Sequence, residues 1–429
     1  MATSNVMDEL AWRGLVHQMT SPDLGEVLAK ESLCCYIGFD PSADSLHVGS
    51  LLQILLLVRM QRHGHRPIAV LGGATGMIGD PSGKSEERNL LDLEQVQHNL
   101  LGIRAQLEKF LDVAPGPAQA RIVNNYDWLA PVSLVEFLRT TGKCFSVNAM
   151  MDKDSVRTRL TEREQGISYT EFTYMLLQAH DFLQLFDQYG CALQLGGSDQ
   201  WGNITAGVEL VRRLRGARVH GLTSPLLTTS DGHKLGKTEK GAVWLDARKT
   251  SPYQMYQYWI RTDDRDVVRL IKLLTFRTSE EVAELETEVA AHPEQRRAQR
   301  LLARDLTTLV HGDGATEEAR KASEALFGSE IAELEERTLL EVMAEAPSTE
   351  VAASEFEGAG KPLVDLAVQV GLCASKSAAR KDIVGGGVYV NNARVSDASA
   401  TVTAERAMHG RYVVLRKGKK TFHLVKLVK

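Results

Sequence analysis

Long apolar runs are missing from this chain. No 18 consecutive uncharged apolar residues occur, so a membrane-spanning helix is not expected. A leader-like composition is missing as well. The opening MATSNVMDELAWRG carries acids early and has neither an apolar core nor an arginine bias, so it is read as no export or transit signal. Cysteine is sparse: Cys34, Cys35, Cys144, Cys191 and Cys373 form no CxxC pair and no disulfide-framework spacing. A reducing cytoplasm is the expected location, and no protein-held metal is expected. Internal repeats and low-complexity tracts are also absent.

What is there suits a multidomain globular protein. The 429 residues leave room for two or three domains, with hydrophobic residues at 43% and charged ones at 24%. The net charge of −5 hides an asymmetry. Between Lys361 and Lys429 stand 13 Lys and Arg against 4 Asp and Glu, a local balance of +9 that leaves −14 on residues 1–360. An acidic body with a basic tail points to a polyanionic partner for the tail, the alternative being a solvated basic face.

The order of elements predicts an α/β fold. "CCYIGFDP" (34–41) reads as a short strand, 50–62 as an aliphatic helix ended by Gly64, and "RPIAVLGGATG" (66–76) as a second buried strand. Strand, helix and strand make a βαβ unit and imply a parallel sheet. "CALQLGGSDQWGNI" (191–204) repeats the strand, glycine turn and helix start. From Ser251 to about Phe327 the pattern is helical, and "EAPSTEVAASEFEGAGKP" (345–362) has the composition of a linker. Two short helices, a triple-glycine turn and a hairpin with Asn-Asn at its tip follow. The expected domains are 1–248 (catalytic), 249–345 (helical), 346–360 (linker) and 361–429 (a small α+β module).

"GDPSGKS" (79–85) misses the Walker pattern, because Gly79 and Gly83 enclose three residues where four are needed. A phosphate-binding lysine at Lys84 remains open. "SLHVGSLLQILLLVRM" offers different chemistry. The first amides of a helix are unpaired and its dipole is positive there, which suits a phosphate. Gly49 admits a flat ring or backbone where a Cβ would collide, and His47 can donate to a phosphoryl oxygen. The alternative is a histidine that caps the helix. In "DGHKLGKT" (231–238), Lys234 and Lys237 flank Gly236, and two ammonium groups beside the helix start would clamp a triphosphate under attack at its α-phosphorus. Taken singly, each lysine is a surface charge.

"LHVGS" looks like the HIGH signature and "KLGKT" like the KMSKS loop of class I aminoacyl-tRNA synthetases. Together with "YIGFDPSADSLHVGS", "GGATGMIGDPSGKSEER", "NNYDWL", "YTEFTYMLLQAHDF" and "GGSDQWGNI", they make the chain resemble the bacterial tyrosyl-tRNA synthetases along essentially its whole length. The resemblance implies a Rossmann-like catalytic domain, a helical domain and an RNA-binding module shared with a small-subunit ribosomal protein. It also implies a cytoplasmic homodimer that joins tyrosine to tRNA(Tyr), using ATP accompanied by Mg2+ that the protein itself does not ligate. One departure stands out: the signature commonly ends in a second histidine, and Ser50 occupies that place.

The resemblance assigns residues too. His47, Lys234, Lys237 and Thr238 carry the catalytic signatures. Asp40, Gly49, Ser50, Lys84, Arg88, Gly196 and Asp199 serve the adenylate and pyrophosphate. Tyr174 and Gln178, with Asp80, hold the amino end of tyrosine; Asp181 and Tyr36 meet its phenol, and Gln200 lies close by. Tyr174, Gln178 and Asp181 are spaced i, i+4 and i+7, which places them on one helical face, though an exposed polar stripe would show the same spacing. For the tail, the tRNA candidates are Lys376, Arg380, Lys381, Arg394, Arg416, Lys417, Lys419 and Lys420.

Overall fold

The β-prone run at Cys34 becomes the middle of a six-stranded sheet. In the computed structural model, which describes residues 5–82, 91–153, 156–157, 166–238, 241–325, 329–344, 346–418 and 421–429, this sheet is built from β1 (Gln18–Met19), β2 (Cys34–Phe39), β3 (Arg66–Leu71), β4 (Arg121–Asn124), β5 (Cys191–Gly197) and β6 (His220–Ser224). Their order is β1-β6-β5-β2-β3-β4, with every pairing parallel except that of β1 at the edge. The chain runs outward from β2 through β3 to β4, then returns to lay β5 on the other side of β2. That reversal opens a crevice at the carboxyl ends of β2 and β5, where open α/β sheets bind ligands.

The helices that matter to the crevice are α1 (Val6–Arg13), α2 (Leu51–Arg62), α3 (Leu93–Phe110), α4 (Tyr169–Tyr189), α5 (Trp201–Arg215) and α6 (Asp264–Leu274). Helix α2 is apolar nearly all round, and Leu51 through Met60 are buried apart from Gln53. A short 3-10 turn, Val48–Ser50, precedes it, so the helix expected over 50–62 starts within one residue of that limit. Ser168 caps α4 by accepting from the Glu171 amide, and Gly190 ends it in the left-handed region at φ 62. Helices α4 and α5 pack on one face of the sheet, where Phe182, Leu210 and Val211 join Tyr36 in one core.

Two compact units result. The first holds residues 1–250 and 263–298, the second 251–262 and 299–429. The expected helical domain of 249–345 is therefore divided, since α6 and the helix Ser279–Ala291 fold with the sheet. The physical reason is that α6 has a strongly amphipathic apolar face whose Val267, Leu270, Ile271 and Leu274 are buried.

In the second unit a five-stranded sheet is made of Ser348–Ala352, Val388–Val390, Ala393–Val395, Tyr412–Lys417 and Thr421–Val428. The Asn-Asn hairpin forms as expected, with Asn391 and Asn392 at φ 47 and 60. The segment 346–360, expected as a linker, is structural: Ser348–Ala352 pairs in parallel with Thr421–Val428, and Val351 and Phe356 are buried. Its small polar composition hides one alternating strand. The helical and C-terminal parts also share a core, in which Ala322, Ile331 and Leu339 pack with Met408, Tyr412, Val414 and Leu424.

Candidate active site

The crevice is a cavity of about 340 Å³ in the first unit, bounded by β2, β5, the start of α2, α4 and the segment 225–234. Tyr174, Gln178 and Asp181 line it from α4, so the shared helical face turns inward and the exposed stripe is excluded. Tyr36, Asp40, Gly49, Ser50, Asp80, Gly196, Asp199, Gln200 and Lys234 line the same space. Lys84 and Arg88 lie outside the described residues.

At the inner end the Asp181 carboxylate accepts from Trp128 Nε1 at 2.8 Å and from Asn125 Nδ2 at 3.0 Å. Burial pushes this carboxyl up to about 7, against the downward pull of the two donors, and Asp40 adds to the rise. The Tyr36 hydroxyl, also buried, has no hydrogen-bond partner among the described residues. Burial drives its ionisation well above the usual tyrosine range, and the neighbouring Asp181 adds to this. A buried acceptor and a hydroxyl of this kind suit a ligand that brings its own hydroxyl.

Midway, polar side chains form a network. Tyr174 donates from its hydroxyl to Asp40 at 3.1 Å, and Thr75 donates to the other oxygen of Asp40 at 2.9 Å. Gln200 donates to Asp80 at 2.6 Å while its carbonyl accepts from Gln178 at 3.2 Å and from Asn203 at 3.2 Å. Asp80 and Asp40 place two carboxylates here, which favours a cationic group on a ligand.

At the outer end the two signatures meet. Val48 donates its amide to Val243 O at 2.9 Å, and Val243 donates to Gly236 O at 2.9 Å. A Cβ added to Gly236, at φ 84, would come 2.8 Å from the Gly49 nitrogen. His47 caps the 3-10 turn, its Nδ1 accepting from the Gly49 amide at 3.0 Å. The capping role and a ligand role coexist, because in the neutral ring an accepting Nδ1 leaves the proton on Nε2, a donor. The ring stands against Trp244 at 6.2 Å between centroids and flanks the cavity without lining it. Lys234 lines it and tempers the rise that burial and Asp80 impose on the Asp199 carboxyl. The backbone of Lys237 and Thr238 forms a two-residue strand paired with Gly241–Ala242.

Reading the sequence missed Thr75, Asn125, Trp128 and Asn203 as site residues. Each lies inside a quoted segment ("GGATG", "NNYDWL" or "GGSDQWGNI"), but nothing in its spacing betrays a contact made with a distant segment.

Comparison with known proteins fits this geometry. The family model for class I tRNA synthetases of the tryptophan and tyrosine type matches residues 28–328, and one for the tyrosine–tRNA ligase C-terminal domain matches 341–425. The tyrosine–tRNA ligase of Opitutus terrae is 53% identical, with 99% of this chain and 100% of that protein covered. The chain belongs to the tyrosine–tRNA ligase family. The ligase of Geobacillus stearothermophilus is 51% identical, covering 98% of this chain and 99% of its own. Among solved structures, a C-terminally truncated mitochondrial tyrosyl-tRNA synthetase from Aspergillus nidulans superposes with a TM-score of 0.67 at 31% identity, covering 76% of this chain and 94% of that one.

The basic tail of this family member holds exposed, ion-paired and buried residues. Arg380, Lys381 and Arg394 are exposed, Arg394 also donating to Gly386 O at 2.9 Å. Lys376 pairs with Asp365 at 2.8 Å and Lys417 with Asp382 at 2.7 Å. Arg416 departs from expectation: it is buried, with its guanidinium 3.7 Å from the centroid of the Tyr389 ring. Its position in a strand turns it onto the sheet, which makes it a packing residue. Lys419 and Lys420 lie outside the described residues.

Proposed function

We propose that the protein is a tyrosine–tRNA ligase that activates L-tyrosine with ATP and transfers it to the 3′-terminal ribose of tRNA(Tyr). One observation carries the reading: the α4 face bearing Tyr174, Gln178 and Asp181 lines the same cavity as Gly49, Asp199 and Lys234. Asp181 accepts from the phenol of tyrosine, and Tyr36 bonds to the same hydroxyl. Asp80, Tyr174 and Gln178 take the ammonium, with Gln200 bracing Asp80. Phenylalanine would leave the buried groups at the inner end unpaired, at a cost on the order of 1–3 kcal/mol apiece. Enzymes of this family are known to reject phenylalanine in favour of tyrosine on this principle.

ATP, entering with its magnesium as substrate, lies toward the outer end. The tyrosine carboxylate attacks the α-phosphorus, and pyrophosphate leaves. His47 and Lys234, joined by Lys237 and Thr238, stabilise the charge that grows on the phosphoryl oxygens, while Gly49, Ser50, Gly196 and Asp199 seat the nucleoside. Asp40 supports this side, and Lys84 and Arg88 the pyrophosphate. No proton needs to move in this step, so the chemistry asks for placed positive charge. The terminal ribose hydroxyl of tRNA then attacks the adenylate carbonyl and releases AMP.

Arg380, Lys381 and Arg394 are the tail's exposed candidates for RNA phosphates, with Lys376 and Lys417 beside them. The acting species is a homodimer in the cytoplasm. Supporting a second copy, Leu134, Val135, Leu138, Val147, Met151 and Tyr169 are exposed apolar side chains in the first unit, Leu134 at 70% and Tyr169 at 72%. Among the described residues no helix is long and apolar enough to cross a membrane.

Tyrosine-dependent exchange of pyrophosphate into ATP tests the reading, with phenylalanine and tryptophan as controls. Exchange with tyrosine alone is expected; equal exchange with tryptophan, or none with tyrosine, refutes it.

A further inference from the structure

Helix α6 meets the Lys234 hairpin at its N-terminal end and helix α2 at its other end. Its N-cap is Asp263, whose side chain accepts from the Arg265 amide. Asp266, in the first turn, stands where an acid commonly reaches back to the N-cap amide. It is buried at 4% exposure and turned toward a different element. One carboxylate oxygen accepts from both the amide and the hydroxyl of Ser230, at 3.0 and 3.1 Å. The other accepts from Arg269 at 3.1 Å, and Arg269 also donates to Thr228 O.

Thr228–Ser230 is one arm of a tight hairpin, and Lys234 is on the other. Thr228 pairs directly with Lys234, Thr229 donates to His233 O at 2.8 Å, and Leu235 donates to Leu227 O at 2.9 Å. Holding the first arm therefore sets the lysine that lines the cavity.

At the far end of α6 the terminal carbonyls are gathered by two buried arginines. Arg13 donates to Lys272 O and Arg277 O, each at 2.9 Å. Arg59 donates to Leu273 O at 3.0 Å and Thr275 O at 2.8 Å. Cations at a helix C-terminus are favoured by its dipole and by its unpaired carbonyls. Arg59 belongs to α2, the helix that starts at the His47 signature. One helix is thus anchored to α2 at one end and grips the Lys234 hairpin at the other.

We infer that Asp266 is a positioning residue for tyrosine activation: through Ser230 it fixes the hairpin so that Lys234 stands at the reacting phosphate. This rests on the reading of the cavity as a tyrosine-activating site, which exchange activity of the unaltered enzyme establishes first. Asp266 touches no substrate, so its loss acts on the rate of the step that needs Lys234 and leaves tyrosine binding at the inner end alone.

The test compares Asp266→Ala, Ser230→Ala and the double variant in the full-length protein. Two quantities are read: the single-turnover rate of tyrosyl-adenylate formation at saturating ATP, and the tyrosine Kd by equilibrium dialysis. Asp266→Ala is expected to slow the step by about 10- to 100-fold, the scale on which small misplacements of a reacting group act. Its tyrosine Kd should stay within about twofold, since the Asp181 end is untouched. The double variant should be no slower than Asp266→Ala alone, because both changes break one contact. Asp266→Asn keeps an acceptor for Ser230 but gives up the charge that faces Arg269, so it should be slowed by more than about twofold and by less than the alanine variant; if the alanine variant does not fold, that loss with tyrosine Kd unchanged supports the inference. A rate within about twofold of the unaltered enzyme for Asp266→Ala (for Asp266→Asn where alanine does not fold), a parallel loss of tyrosine affinity, or multiplicative losses in the double variant would overturn it.

Discussion

Trp128→Phe isolates one hydrogen bond at the heart of specificity. The substitution keeps an aromatic ring beside the core and removes the Nε1 donor that stands 2.8 Å from Asp181. In the unliganded protein Asp181 titrates at about 7, so near neutral pH it is only partly ionised. Tyrosine brings a third donor to that carboxylate and so favours its ionised form. A hydrogen bond to a charged group is worth about 1.5–3 kcal/mol, which moves the midpoint about one to two pH units upward when the bond is lost. The unaltered protein should then bind tyrosine with a Kd that is flat above about pH 7 and rises about tenfold for each pH unit below.

The ratio of variant Kd to unaltered Kd should be about 5- to 50-fold at pH 7 and close to within about twofold by pH 9. Equilibrium dialysis at several pH values measures this ratio, in which the titration of tyrosine itself cancels. A ratio that does not change with pH refutes the reasoning and leaves Trp128 acting through its ring alone. The same raised midpoint has a folding consequence. Between the ordinary range of 3.8 and about 7 the folded unit holds a proton that the unfolded chain has released, so stability falls as pH climbs through that window.

Asp181→Ala should reduce tyrosine activation by at least about tenfold while ATP binding changes by less than about threefold; pyrophosphate exchange and nucleotide titration measure the two, and unchanged tyrosine KM and turnover would exclude the phenol pocket. Gly236→Ala places a Cβ 2.8 Å from the Gly49 nitrogen at a φ of 84, so the hairpin must shift. The expected result is about a 10- to 100-fold slower adenylate step with tyrosine Kd unaltered. Arg380→Glu with Lys381→Glu should raise the KM for tRNA about tenfold at low salt and flatten its salt dependence, leaving exchange intact. Charge reversal suits this question better than removal of residues 355–429, which would take Met408, Tyr412, Val414 and Leu424 out of the core they share with the helices of that unit.

Much of the fold could be read in advance because its signals are local. The aliphatic run of α2, the glycine turn after β5 and the Asn-Asn hairpin each declare themselves within a dozen residues. The α4 face was legible for the same reason, since i, i+4 and i+7 spacing is a property of a single helix. What could not be read depends on contacts between distant segments. Asn125 and Trp128 reach Asp181 from the segment that follows β4, and the packing of α6 with the sheet is completed by carbonyls met by Arg13 and Arg59. The strand Ser348–Ala352 was hidden because its pairing partner lies some seventy residues later. Arg416 looked like a phosphate ligand by composition, and only the strand register shows it lying against Tyr389.

The crowding at Gly49 and Gly236 has a consequence for how such a chain can drift. A methyl group at Gly49 would meet the His47 ring at 2.7 Å and Leu235 O at 3.3 Å; one at Gly236 would meet Gly49 itself. Two signatures separated by nearly two hundred residues thus behave as one inherited unit, each forbidding bulk in the other. Tolerance for change here is set jointly, so a library that randomises either stretch alone will return glycine.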